Sequence, residues 1–256
     1  MAARRGAITS KNAGAPRGQT AAMEFSHHPA LRAQFPTLVA GVLHARGIHP
    51  DADVTALVAH WQRLAQERLR ASGSESELPP VQAWRRAFAQ LGLKPTQYRC
   101  ASESLLRRLR KEGDLPRIHP LIDLCNAVSV GFGIPVAVLD AERIAWPLQV
   151  KAAAGDEVYE AFSGESEHPE AGEVSFVDAG RRAHARRWTH RQSGWSAVGT
   201  GTREVFIVAE ALHAGAAQEV PQLVAAIAEG LQQAWGAAAH TAILTPEQPK
   251  FTLADG

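Results

Sequence analysis

The chain is poor in cysteine, methionine and tyrosine, with two of each. Cys100 and Cys125 stand twenty-five positions apart, a spacing that suggests neither a disulfide framework nor a structural zinc site. A reducing, cytosolic setting is the expectation. No apolar run approaches the roughly 18 residues that a membrane-spanning helix needs. An excess of one charge is missing too: 27 Lys+Arg against 26 Asp+Glu leave a formal net charge of +1, which speaks against a bulk polybasic nucleic-acid binder. Gly194, Gly199 and Gly201 lack the Rossmann and P-loop spacings. Ser193-Gly194-Trp195-Ser196 is not the G-x-S-x-G elbow of a serine hydrolase. What is present is ordinary globular composition, 45% hydrophobic and 21% charged, over 256 residues. That length allows one large domain or two small ones, with chain enough for a sizeable core.

Residues 1–23 carry Arg4, Arg5, Lys11 and Arg17, no acid before Glu24 and no apolar stretch, and read as a disordered tail rather than a secretory signal. Residues 241–256, with Pro246 and Pro249, read as a second loose tail. Between them the pattern is α+β. Residues 37–45 form a strand-like run. Asp51 or Asp53 then caps a helix carrying Val54, Leu57, Val58, Trp61 and Leu64 at helical spacing, closed at Gly73. Pro79-Pro80 opens a helix with Val81, Trp84, Phe88 and Leu91 on one face, and Ser102 is expected to cap the next. Pro120 opens another that runs to about Gly131. After Gly133 come short β-like runs at 134–139, 147–152, 174–177 and 204–212, and a last helix is expected to start near Pro221. Phe206, Ile207 and Val208 are apolar without alternation, as in a strand covered on both faces. The expected architecture is a single domain over 24–240, with 24–78 as an N-terminal helical extension packed on it.

Three constellations carry chemistry. His119, Asp123 and Asn126 lie at i, i+4 and i+7, a polar stripe that presents a base, a carboxylate and an amide to one pocket, or else simply bonds neighbouring backbone. Residues 181–193 (RRAHARRWTHRQS) hold Arg181, Arg182, Arg186, Arg187 and Arg191, two histidines and Trp188, with no acid. Arginine forks clamp phosphates and an indole stacks on a base, so the strip reads as an RNA contact or as a charged edge strand. The stretch 152–180 just before it holds eight acids and no Lys or Arg, so charge is segregated along the chain and the net balance is expected to cancel in the sum rather than in space. Glu165, Glu167, His168 and Glu170 superficially suggest metal ligands, but their loop setting favours a solvated acidic turn; no metal is expected.

The segment RIHPLIDLCNAVSVGFGIPVAVLD (Arg117 to Asp140) resembles the B3/B4 domain of the phenylalanyl-tRNA synthetase beta subunit, where a Pro-Leu-Val-Asp-Leu-x-Asn helix leads into a Gly-x-Pro turn. The likeness continues at KAAAGDE (151–157), GEVSFVD (172–178) and GTREVFIV (201–208), spans about residues 80–212, and is greatest to free-standing B3/B4 proteins. It implies a B3/B4-like fold, a mixed or antiparallel sheet with flanking helices. It also implies a trans-acting hydrolase that deacylates misacylated tRNA, the aminoacylated 3′ end being its partner. No cofactor, membrane or obligate protein partner is implied. A non-catalytic RNA-binding module and an amino-acid or small-molecule binding protein are the other readings. On the resemblance, Asn126 and His190 would be catalytic; His119, Asp123, Trp188, Gln192, Trp195, Thr200 and Thr202 would hold substrate; and the five arginines would hold RNA. Two positions depart from the family pattern. Ala137 stands where synthetase members commonly have His, and Trp195 where many carry the Glu associated with the tyrosine hydroxyl. Tyrosine specificity is therefore not inherited, and Trp195 is expected to fill part of the amino-acid pocket and favour a smaller side chain.

Overall fold

The computed structural model describes residues 22–253. In chain order it begins with β1 (Met23–His27), α1 (Pro29–Gln34), β2 (Val39–Arg46), α2 (Thr55–Ser72), α3 (Pro79–Gln90) and α4 (Ala101–Glu112). There follow α5 (Pro120–Phe132), β3 (Val136–Asp140), β4 (Leu148–Ala152), β5 (Tyr159–Glu160), β6 (Ser166–Glu167) and β7 (Val174–Asp178). The chain continues through β8 (Ala183–Arg186), β9 (Arg191–Gln192), β10 (Glu204–Ala211), α6 (Ala216–Trp235), β11 (Ala239–Leu244) and β12 (Lys250–Leu253). The fold is α+β, as expected.

Six strands form one sheet in the order β12-β1-β4-β7-β8-β9, antiparallel except for the parallel pair β1–β4. Four form a second, antiparallel sheet, β11-β2-β10-β3. Phe25, Val150 and Phe176 of the first sheet and Val42, Phe206 and Val208 of the second share one core. The opposite face of the second sheet, with Leu43, Val205 and Ile207, packs on Leu121, Leu124 and Val128 of α5 and Val220, Val224 and Ile227 of α6. β10 is thus sandwiched between a sheet and a helical layer, the physical reason for its unbroken apolar run. Side chains alternate along it: Phe206, Val208 and Glu210 face the other sheet, and Val205, Ile207 and Ala209 face the helices.

The helix boundaries mostly follow their punctuation. Asp53 accepts from the Thr55 amide at 2.9 Å, α2 closes at Gly73 in positive φ, and Pro120 occupies the first turn of α5, which Gly133 closes left-handed. Ser102 does not cap α4: it lies inside the helix, fully buried, and its hydroxyl donates to the Gly133 carbonyl at 2.9 Å. Pro221 does not open α6 either. The helix starts at Ala216 and carries the proline inside, because the buried face that begins at Ala216 and Val220 outweighs one missing amide.

Two expectations about the ends are corrected. The segment 24–78 is not a helical extension: β1 is internal to the six-stranded sheet and β2 lies between β10 and β11. Residues 241–253 are not a loose tail, since β11 and β12 each pair along one of the sheets. Their small and polar residues hid the pairing, which comes from partners more than 190 residues away. The tail expected over 1–23 lies outside the described residues except for Ala22 and Met23, and Met23 begins β1.

Candidate functional site

The polar stripe of α5 lies in the helical layer, away from the inter-sheet core. His119 Nδ1 accepts from the Leu121 amide at 3.2 Å and Asp123 accepts from the Ile118 amide at 2.8 Å, so both serve the start of the helix. Burial lowers the His119 pKa, with Asp123 raising it and His49 lowering it again. Asn126 is half-buried on the same helix. Thr202 is buried, its hydroxyl donating to Asp140 at 2.7 Å, while Thr200 is exposed in the same loop. These five positions share no cavity with His190.

Four of the five arginines of the strip pair with three carboxylates of the acidic stretch. Arg181 pairs with Asp156, Arg186 with Glu167 and Glu173, Arg187 with Glu173, and Arg191 with Glu167. Arg186 is buried, only 6% of its side chain reaching solvent. Arg182 stacks on Trp195 with its guanidinium 3.5 Å from the ring centroid, and the Trp195 indole donates to the Arg143 carbonyl at 2.9 Å. Contrary to expectation, the opposite charges meet in space, four arginines on three carboxylates, because the hairpins carry the acids onto the basic strands. Glu165, Glu167 and His168 are spent likewise, on Ser163, the arginines and the Glu157 carbonyl.

Trp188 is not a stacking platform. Its side chain is fully buried, edge-on to Trp84 at 4.8 Å and Phe35 at 5.1 Å, and its indole donates to Glu210 at 2.8 Å. Arg187 and Trp188 both have positive φ, 46° and 58°, a conformation costing a non-glycine residue about 1–2 kcal/mol. That left-handed turn drives Trp188 inward and sets Thr189 and His190 along the wall of a cavity.

The cavity, about 50 Å³, lies where the two sheets part, beside the start of β3 and β9. Val136, Ala137, Val208 and Trp188 wall it, and Thr189, His190, Arg191, Gln192 and Glu210 are its polar lining. Its volume is far below the roughly 150 Å³ of a cavity that takes benzene. Trp195 does not line it, so the space is small because Trp188 and Phe176 close it. His190 Nδ1 lies 2.7 Å from the Arg99 carbonyl and 3.3 Å from the Arg99 amide; the shorter contact, to an oxygen that only accepts, puts the proton on Nδ1 and leaves Nε2 as an acceptor with no protein partner among the described residues. Burial lowers the His190 pKa; the Arg99 bond raises it, and the charges of Arg187 and Arg191 lower it again, below the ordinary histidine value. The imidazole is neutral near pH 7. Gln192 is anchored by its amide donating to the Val138 carbonyl at 2.8 Å.

Glu210 escaped notice in the sequence, although a lone carboxylate in the run VFIVAEAL, on a strand read as covered on both faces, was a visible signal. It is buried, and its Oε1 accepts from Trp188 and from His27 Nε2 at 2.6 Å. Arg32 faces His27 Nδ1 at 3.3 Å, and a guanidinium only donates, so Nδ1 accepts and Nε2 carries the proton toward Glu210. A second unforeseen constellation is Ser196–His184–Asp178, at 2.8 and 3.1 Å. It has the order of a nucleophilic triad, yet Ser196 and His184 are both fully buried and line no cavity, so it is a structural bond between β7, β8 and the loop after β9.

The B3/4 domain family matches residues 83–220, more than half of the chain. The chain belongs to the B3/4 domain family. Every residue lining the cavity falls inside the matched region, whereas His27 and Arg32 fall outside it. No curated protein matches this B3/4 protein. Among solved structures it is similar to an N-terminal fragment of the phenylalanyl-tRNA synthetase beta subunit from Pyrococcus horikoshii, at 11% identity and a TM-score of 0.47. That similarity covers 90% of this chain and 54% of the other, so this chain spans about half its length. Among the described residues no helix is long and apolar enough to cross a membrane.

Proposed function

We propose that this B3/4 protein is a trans-acting editing hydrolase that removes a small amino acid from misacylated tRNA. The observation that carries the reading is a neutral histidine with a free Nε2 at a small cavity that lies wholly within the B3/4 region. Water attacks the ester carbonyl while its proton passes to His190 Nε2. The tetrahedral intermediate then collapses, the C–O bond to the terminal ribose breaks, and the departing oxygen takes the proton from His190. The products are free amino acid and uncharged tRNA. Asn126, His119, Asp123, Thr200 and Thr202 have no part in this step, and Trp188 closes the cavity rather than stacking on a base.

His190→Ala is expected to slow deacylation by about 10²–10⁴-fold, the usual contribution of a general base. Because the neutral form acts and its pKa is lowered, activity holds as pH falls to the ordinary histidine value of about 6.5 and declines only below it. An acid limb above pH 7, or a variant as fast as the native chain, contradicts the role.

Amino-acid binding without RNA is the second reading, favoured by the internally paired arginines, which leave few unpaired cations beside the cavity. Deacylation of a charged tRNA separates the two.

A further inference from the structure

One carboxylate oxygen beside the cavity is left without a protein partner. Glu210 Oε1 takes both donors offered to that carboxylate, and Oε2 accepts no hydrogen bond among the described residues. A carboxylate oxygen only accepts. A carboxylate on a buried side chain is costly unless donors or a positive charge meet it, and the free Oε2 is the place left for one. Trp188, His27 and Arg32 hold the Glu210 carboxyl in one orientation, so the acceptor is fixed before any ligand arrives.

We propose that the cavity takes the α-ammonium group of a small amino acid, bound by Glu210 Oε2. An ammonium supplies three donors and a compensating charge, and a cavity of about 50 Å³ holds it with one or two carbons but not a phenyl ring. Arg191 also lines the cavity, but Glu167 holds its guanidinium, so a carboxylate or phosphate ligand would meet the Glu210 carboxylate without a free cation beside it. The amino acid has two sources, free or esterified to tRNA; the second rests on the deacylase reading, with the ester carbonyl directed toward His190. His27 and Arg32 make the orienting device a property of this chain's N-terminal strand and helix, outside the matched family region.

The test uses the full chain and two stable ligands that differ only at nitrogen, alaninamide and N-acetylalaninamide, followed by calorimetry. Alaninamide is expected to bind at least tenfold more tightly, and phenylalaninamide no better than the acetylated ligand. Equal binding of the first two, or binding of neither at millimolar concentration, overturns the proposal. Glu210→Gln is expected to abolish the discrimination. Should that variant not fold, as judged by circular dichroism, Glu210→Asp, which keeps the charge but withdraws the oxygen, carries the test with a several-fold loss, and unchanged discrimination counts against the proposal. In parallel, alanyl-tRNA and N-acetylalanyl-tRNA are offered as substrates. Hydrolysis of both at one rate leaves the deacylase standing and removes the ammonium site. Amine-dependent binding of alaninamide without hydrolysis of either tRNA leaves the ammonium site standing, with the free amino acid as its source, and removes the deacylase.

Discussion

Arg186 shows how a side chain's surroundings decide its role. In isolation it is a phosphate fork; in place it is a buried cation held by Glu173 and Glu167. Removing one partner of such a buried network leaves unpaired charge, at a cost of about 3–5 kcal/mol. Arg186→Ala is therefore expected to lower the urea midpoint sharply rather than to weaken RNA binding selectively. Unchanged stability with weaker RNA binding contradicts this. Burial alone would raise the Glu173 pKa, but hydrogen bonds and charge from Arg186, with Arg187 adding its own, bring it below the ordinary value. That stabilisation is present above the ordinary carboxylate pKa and is lost as pH falls through the lowered one. His190 and Gln192 were legible in the sequence as cavity residues because the chemistry of a dense polar strip is local. Glu210 was not, since what marks it is a missing partner, and partners are set by tertiary packing.

The second sheet and the helices over it meet through small residues. A Cβ on Gly41 of β2 would come within 2.3 Å of Val224 in α6, and one on Gly230 of α6 within 2.7 Å of Leu124 in α5. Gly41→Val is expected to push α6 off the sheet and cost about 1–3 kcal/mol, the usual range for overpacking. A thermal midpoint equal to that of the native chain contradicts this close approach. α2, α3 and α5 were legible because Pro, Gly and Asp mark their ends and apolar residues recur at helical spacing. β10 was legible from its unbroken run. β1, β11 and β12 were not: each is short, mixed in polarity, and defined by a partner far away in sequence. The start of α6 was misplaced because a proline marks a helix start only when no apolar face precedes it.

Across the molecule the near-zero net charge mirrors the structure, with the basic strip and the acidic hairpins folded onto each other. Such a charge distribution attracts RNA only weakly at long range, so in the proposed deacylation recognition falls to the cavity and the ester placed in it. The small size of that cavity separates the account from tyrosine editing, which needs room for a phenol ring. The decisive measurement is the rate of amino-acid release from tRNAs charged with radiolabelled glycine, alanine, serine, phenylalanine or tyrosine and incubated with the full chain. The account predicts catalytic turnover on at least one of the three small amino acids and none on the two aromatic ones. Turnover on the aromatic esters, or release no faster than spontaneous hydrolysis across the whole set, contradicts it.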